Sequence, residues 1–345
     1  MPENPDNTED TPAIVADDLV KIYPGRGRRP AVRALDGLGF TVATGRVFGL
    51  LGPNGAGKST TTKILTTLSR PTSGSARVGG HDVLREAAAV RAAIGYVSQA
   101  ASTDPLLTAT ENLTIAARLR GIGASDAAGR TKRLLEEFGL AEASKRPVST
   151  FSGGMRRRLD VAAALVHRPS VLFLDEPTTG LDPEARAAMW AEIRRLSGQE
   201  ALTVILTTHY MEEADRLADE LLIVNRGRAV VQGTPDELKA ALHGDSVRVS
   251  LVEPDAARVR AAVTNVRGLR DVVIEASGVD GVLAARTDDA SAAVGSVIAA
   301  LDAAGIRYGQ VSASHPTLDD VYLHFVGHTF DGAHGADDVL EGQAA

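Results

Sequence analysis

The hydrophobic pattern divides the chain into short apolar runs, each followed by a polar or glycine-bearing turn and then by a stretch of helical spacing. VFGLL at Val47–Leu51, VLFL at 171–174 and LTVIL at 202–206 are such runs. Their length and continuity predict strands buried on both faces, as in a parallel sheet. Ile14 to Ile22 reads as an edge strand, 31–42 is strand-like, and 94–98 reads as a further buried strand ending at Gln99. RPTSGSARVGGHDV supplies a turn and a short strand. Helical spacing predicts helices over 60–68, 85–93, 108–120 with Thr110 as its cap, 127–138, from Ser152 to near Pro169, and 211–218. The pair at 108–120 and 127–138 reads as a helical insertion in an α/β domain.

From Asp245 the texture changes. Val247, Val249 and Leu251 alternate with polar residues, and strands at 272–276 and 281–286 flank a turn at 277–280. With helices at 256–263 and 290–304, a strand at 307–313 and a last helix at 318–325, the order is βαββαβ plus a helix. That order predicts a small α+β domain of ferredoxin-like type. It carries no catalytic cluster, and His315, His324 and His328 lack the acidic or thiol neighbours of a metal site. A regulatory or assembly role, dimer stabilisation ahead of ligand sensing, is the expectation. Residues 1–12 and 329–345 read as disordered tails, which leaves domains at 13–243, with a helical part at about 100–168, and at 245–328.

Composition narrows the classes. A length of 345 residues, 44% hydrophobic and 23% charged, suits two ordinary globular domains. The net charge of -7 argues against a general nucleic-acid binder, although Arg28, Arg29 and 156–158 are locally basic. The absence of Cys excludes disulfides, thiolate metal sites and a Cys nucleophile. No apolar run approaches the ~18–20 residues of a membrane helix and no secretory pattern opens the chain, so a cytoplasmic location is expected.

The chemistry centres on GPNGAGKS, from Gly52 to Ser59, set between the apolar run and the helix that follows. It fits the P-loop pattern. Gly52, Gly55 and Gly57 allow a bend in which successive N–H groups face an anion, and the helix start adds its positive end. Lys58 can reach the β and γ phosphates, and the Ser59 hydroxyl can ligate Mg²⁺. Asp175 and Glu176 directly follow a buried strand, where an Asp can hold Mg²⁺ and a Glu can orient or deprotonate the attacking water. His209 ends another strand, where a histidine can be structural or can contact a γ-phosphate. Gln99 at a strand end could serve a ligand or be a polar terminus. Tyr23 could stack on a base or simply pack, and Ser152 with Gly153 and Gly154 suits an anion or a plain helix cap.

Taken in register, Gly52 to Ser59, Gln99, FSGGM at 151–155, VLFLDEP at 171–177, GLD at 180–182 and His209 resemble the ATP-binding cassette (ABC) ATPases, over about residues 13–242. The resemblance implies a P-loop α/β fold with a helical subdomain and a site that takes ATP and Mg²⁺. It puts Gly52, Pro53, Asn54, Gly55, Ala56, Gly57, Lys58, Ser59 and Thr60 around the phosphates and Tyr23 on adenine. Ser59, Gln99 and Asp175 would serve the metal, Glu176 would be the base, and His209 would hold the γ-phosphate. Two such domains pair head to tail, so Ser152, Gly153 and Gly154 would act on ATP of a second copy, with Asp182 at the interface. FSGGM differs from the commoner LSGGQ at Phe151 and Met155 but keeps the Ser-Gly-Gly core. SGGMRRRLD, TTHYMEEAD and PTLDDVYLHFVG are similar to the daunorubicin-resistance group of drug-export ATPases, which energise a separate membrane permease from its cytoplasmic face. Alternatives are export of lipid or polysaccharide by the same mechanism, a soluble ABC protein of ribosomes or DNA, and a non-hydrolysing binding module.

Overall fold

The computed structural model describes residues 12–25, 30–200, 202–277 and 280–326. Arg28, Arg29, His328, the centre of the turn expected at 277–280 and nearly all of both expected tails lie outside the described residues. The chain divides into two compact units, residues 1–51 with 55–229, and 52–54 with 230–345.

In the first unit, strands β1 (Ile14–Tyr23) and β2 (Val32–Val42) pair antiparallel and lead into β3 (Val47–Leu51), whose five residues are all buried. Helix α1 (Lys58–Leu65) follows, then β4 (Ser73–Val78), β5 (His81–Asp82), α2 (Ala87–Ala93) and β6 (Ile94–Val97). Helices α3 (Ala109–Leu119), α4 (Ala124–Glu137) and α5 (Gly153–Leu165) make the helical insertion. The chain then runs through β7 (Val171–Asp175), α6 (Pro183–Glu200), β8 (Thr203–Thr208), α7 (Met211–Leu217), β9 (Glu220–Asn225) and β10 (Arg228–Gly233).

The buried runs become one parallel sheet in the order β9-β3-β8-β7-β6. Because side chains alternate along a strand, each run feeds two cores. Phe48, Leu50, Phe173 and Ile205 pack with Leu35, Leu38, Phe40, Ile64 and Leu65 on one face. Val47, Leu172, Leu174, Val204 and Leu206 pack against the helical side, with Leu113, Leu134, Leu159 and Ile193.

Two local expectations are corrected. The strand read at the sheet edge, β1, lies inside its sheet, whose order is β2-β1-β4-β5. Its second partner, β4, begins SGS with exposed residues and buries only Ala76 and Val78, so its apolar signal is short; backbone groups make the pairing. The cap of α3 is Thr108 and not Thr110. Thr108 and Glu111 close a capping box, the T-x-x-E spacing that such a box requires, whereas the Thr110 hydroxyl donates to the Ser144 carbonyl.

The second unit holds helix α8 (Pro235–Ala240), then β11 (Asp245–Val252), α9 (Ala256–Val263), β12 (Arg270–Ser277), β13 (Asp280–Thr287), α10 (Ala290–Ala303), β14 (Tyr308–Ser314) and α11 (Leu318–Val326). The sheet is antiparallel with order β12-β13-β11-β14, the arrangement a βαββαβ chain adopts when it folds as a split βαβ. Val249, Leu251 and Leu283 from the sheet pack on Val259, Val263, Val297 and Leu301 from α9 and α10. Among the described residues, no helix is long and apolar enough to cross a membrane.

Candidate functional site

Strand register gathers the site. Leu51 lies opposite Thr208, Asp175 opposite Thr207 and Val97 opposite Leu174. Neighbouring strands are ~4.8 Å apart, so the carboxyl ends of β3, β8, β7 and β6 span only about 15 Å. The residues that follow them, the P-loop, His209, Glu176 and Gln99, therefore emerge along one edge, the usual place for a ligand in an open parallel sheet.

After Leu51 the loop runs through buried Gly52 and Pro53, exposed Asn54 and Gly55, and buried Ala56 and Gly57. Gly57 takes φ 112°, and a Cβ there would lie 2.7 Å from Leu35 Cδ2 and 2.9 Å from the Ala34 carbonyl oxygen. Only glycine satisfies both the dihedral and the space. As the N-cap of α1 it also offers no side chain to the first helical amides, which suits that terminus to an anion. Ser59 is exposed there and Thr60 half-buried.

Lys58 is the buried charge of the site, only 6% exposed. Burial pulls its ammonium down to about 8, against the opposing attraction of Glu176 and Asp175. Both carboxylates thus act on the lysine of the P-loop pattern.

Asp175 accepts a hydrogen bond from the Thr207 hydroxyl at 2.5 Å. Next to it, Glu176 takes φ 46°, left-handed for a residue that is not glycine. Such a backbone costs about 1–3 kcal/mol and persists only where the surroundings impose it. Here the Glu176 N–H donates to the Thr207 carbonyl at 3.1 Å. Glu176 Oε2 accepts from Gln99 Nε2 at 3.4 Å and from the Thr179 hydroxyl at 3.2 Å. Oε1 lies 3.1 Å from His209 Nδ1, too far off axis for a hydrogen bond. The predicted base, strand-end Gln and His thus stand around one carboxylate.

The donors fit Mg²⁺. A Ser59 hydroxyl and an Asp175 carboxylate are the hard oxygen ligands that this ion accepts alongside phosphate oxygens and water. Gln99 spends its amide nitrogen on Glu176, which leaves the amide oxygen for a cation.

The other predicted residues stand apart from this cluster. Tyr23 ends β1 in the antiparallel sheet, 37% exposed, with Lys21 Nζ 5.0 Å from its ring centroid. Ser152 caps α5, accepting from the Met155 N–H at 3.2 Å. Asp182 caps α6, its Oδ1 accepting from the Ala185 N–H at 2.8 Å.

The two signature glycines differ in what requires them. A Cβ on Gly154 would lie 2.9 Å from Ala185 Cβ, so α6 demands a glycine there; on Gly153 the nearest atom would be Leu181 Cδ2 at 3.6 Å, ordinary contact. Gly154→Ala is therefore expected to lose about 1–3 kcal/mol in a denaturant titration. Gly153→Ala is expected to stay within about 0.5 kcal/mol of the parent, yet to lower ATP turnover. Unchanged turnover in Gly153→Ala would remove the reason for a glycine at that position.

Sequence reasoning missed Thr207 and Glu213. Thr207 serves Asp175 through its hydroxyl and Glu176 through its carbonyl; its place two residues before His209, at the end of an apolar run, was the available signal. Buried Glu213 accepts from the Thr178 hydroxyl at 2.8 Å and from Trp190 Nε1 at 3.1 Å, tying α7 to the segment after Glu176. No spacing in the sequence links those three residues.

Residues 35–179 match the ABC transporter family. Over 313 residues the chain is 46% identical to a daunorubicin resistance ATP-binding protein of Streptomyces coeruleorubidus, a match spanning 91% of this chain and 97% of that protein. The chain belongs to the ABC transporter family. This ABC ATPase is also 43% identical to the daunorubicin/doxorubicin resistance ATP-binding protein of Streptomyces peucetius, over 94% of its own length and 96% of that relative. Among solved structures, cbiO1 of Clostridium perfringens, part of the ABC transporter complex cbiONQ, aligns with a TM-score of 0.61 and 25% identity, covering 66% of this chain and 91% of that one. The ABC ATPase binds ATP and hydrolyses it.

Proposed function

We propose that this ABC ATPase energises a separately encoded membrane permease for the export of drugs or antibiotics, working at the cytoplasmic face of the cell membrane. The observation that carries this reading is the convergence of Lys58, Asp175, Glu176, Gln99 and His209 on one sheet edge, in a chain similar over nearly its whole length to a daunorubicin resistance ATP-binding protein.

In this reading residues 13–243 form the nucleotide-binding domain. Tyr23 stacks on adenine; the loop from Gly52 to Ser59, Thr60 and Lys58 hold the phosphates; and His209 donates to the γ-phosphate. Ser59, Asp175 and the Gln99 oxygen would hold Mg²⁺, which would supply positive charge to offset that of the phosphates. Glu176 accepts the proton of the water that attacks the γ-phosphorus, the bond from that phosphorus to the bridging oxygen breaks, and ADP leaves with the electron pair. Most of the acceleration comes from position and charge, which is why a sheet edge with fixed register suits it.

A second copy completes the site head to tail. Ser152, Gly153 and Gly154 of one chain close over ATP on the P-loop of the other, with Asp182 at the interface, and the absence of any close neighbour that would force a glycine at 153 supports a role in approach from outside. Residues 245–328 steady the pair. The permease docks on about 100–120, where Leu106, Ile115 and Leu119 are exposed. Nucleic acid is no direct partner of a chain with a net charge of -7.

Turnover per chain, measured against protein concentration, tests the shared site. For the parent it is expected to rise with concentration to a plateau, and for Ser152→Ala to collapse by about 10- to 100-fold. A rate per chain that neither depends on concentration nor responds to Ser152→Ala would sink the head-to-tail assignment.

A further inference from the structure

Arg157 has been given no role above beyond its place in the basic run 156–158 of SGGMRRRLD, yet its guanidinium reaches three segments of the hydrolytic site. It is 8% exposed, on the first turns of α5. Its Nη1 donates to the Ser98 carbonyl at 2.6 Å, Nη2 to the Asp175 carbonyl at 2.9 Å and Nε to the Pro177 carbonyl at 2.9 Å. Ser98 precedes Gln99. The Asp175 carbonyl belongs to the peptide that joins the metal-binding Asp to the base, and Pro177 follows the base. One planar side chain thus brackets the strained Glu176 on both sides and holds the strand end that carries Gln99.

A buried cation is an expensive way to fill space, and a hydrophobic residue would pack there at lower cost. Burial lowers the pKa of this arginine, and Asp160, Asp175 and Glu213 oppose that through their charge. Asp160, one turn further along α5, accepts from the Ser102 N–H at 3.1 Å, the Ser102 hydroxyl at 2.9 Å and the Thr103 N–H at 3.1 Å. The segment from Ser98 to Thr103 is therefore gripped at both ends by one helix, with Gln99 between the grips. That helix begins at the glycines after Ser152.

We infer that Arg157 is a positioning residue for ATP hydrolysis, fixing the turn of Glu176 and the place of Gln99 against α5. The inference rests on the assignment of Glu176 as the base. It predicts a loss in the chemical step with nucleotide binding retained, because the P-loop is not among the segments Arg157 holds. Lys cannot replace it. An ammonium is a point donor and cannot bridge three carbonyls in a fixed plane.

The test compares the full-length parent, Arg157→Gln, Arg157→Lys and Glu176→Gln below their melting temperatures. The readouts are turnover at saturating MgATP and the Kd of a fluorescent ATP analogue. Arg157→Lys keeps the charge among the three carboxylates and so guards against simple unfolding. Turnover in both Arg157 variants is expected to fall about 10- to 100-fold, with the Kd within about threefold of the parent. The inference is overturned if folded Arg157→Lys turns over at the parent rate, or if rate and affinity fall together by the same factor. Retained turnover in Glu176→Gln would instead overturn the base assignment, and this inference with it.

Discussion

Glu176→Gln is expected to bind ATP as the parent does and to release phosphate at least about 10²-fold more slowly. Gln has the shape of Glu and can keep one oxygen facing the Thr179 hydroxyl, which now donates at 3.2 Å to Oε2. It cannot take a proton from water. The change removes the function of the carboxylate while disturbing little of its packing, so the loss should fall on turnover alone. Slow turnover should also prolong the ATP-bound pair, seen as a dimer peak in size-exclusion chromatography with ATP that is absent with ADP. Phosphate release at the parent rate would return Glu176 to the role of a strand-end acid.

Lys58→Met is expected to give the opposite signs for binding and stability. ATP affinity should drop by about 10- to 100-fold, the loss of a charge-assisted contact, while the nucleotide-free protein should melt higher. The reason is the burial that lowers the Lys58 pKa from 10.5 to about 8, a cost of about 3 kcal/mol for keeping the ammonium in the folded chain. Below pH 8 both folded and unfolded chains carry this proton and the full cost is present. Between pH 8 and 10.5 the folded chain has released it while the unfolded chain still binds it, so stability of the nucleotide-free protein rises with pH in that window. Phosphates reverse the preference, since they favour the charged lysine. ATP binding at pH 8.5 should therefore take up a fraction of a proton, and affinity should fall as pH climbs through 8. Calorimetry in two buffers of different ionisation enthalpy reads the uptake directly. An observed heat independent of the buffer, or a Lys58→Met melting point below the parent's, would contradict the picture of a lysine held at a cost for its ligand.

The two predictions share a physical basis in conflict between stability and chemistry. Glu176 holds a left-handed backbone and Lys58 an unfavourable charge, and the carboxylate of the one acts on the ammonium of the other. Local rules are broken where the site must work, and the surrounding sheet, with strands such as β3 and β8 buried throughout, supplies the stability that permits it.

Much of this was written in local patterns. VFGLL, VLFL and LTVIL declared buried strands because a strand covered on both faces has no polar side to show. Loop glycines, a lysine and a serine at P-loop spacing act through their own backbone and the helix they begin, so their meaning is contained in adjacent residues. The βαββαβ order of the tail was legible for the same reason, as each element has its own period.

Only the tertiary structure could decide which strand ends stand side by side, since sheet order depends on pairings between residues far apart in the chain. The interior place of β1 came from a partner, β4, whose first three residues are exposed and whose apolar signature is only Ala76 and Val78. The supports of the site, Thr207 on Asp175, Glu213 on Thr178 and Trp190, and Arg157 on three carbonyls, are hydrogen bonds between residues far apart in the chain, and those of Arg157 go to groups every residue possesses. A main-chain carbonyl has no letter in the sequence. The chain by itself thus determined the buried strands and the P-loop pattern between strand and helix, because covalent neighbours set them, and folding alone decided what holds Asp175, Glu176 and Gln99 in place, because that depends on which distant groups each side chain meets.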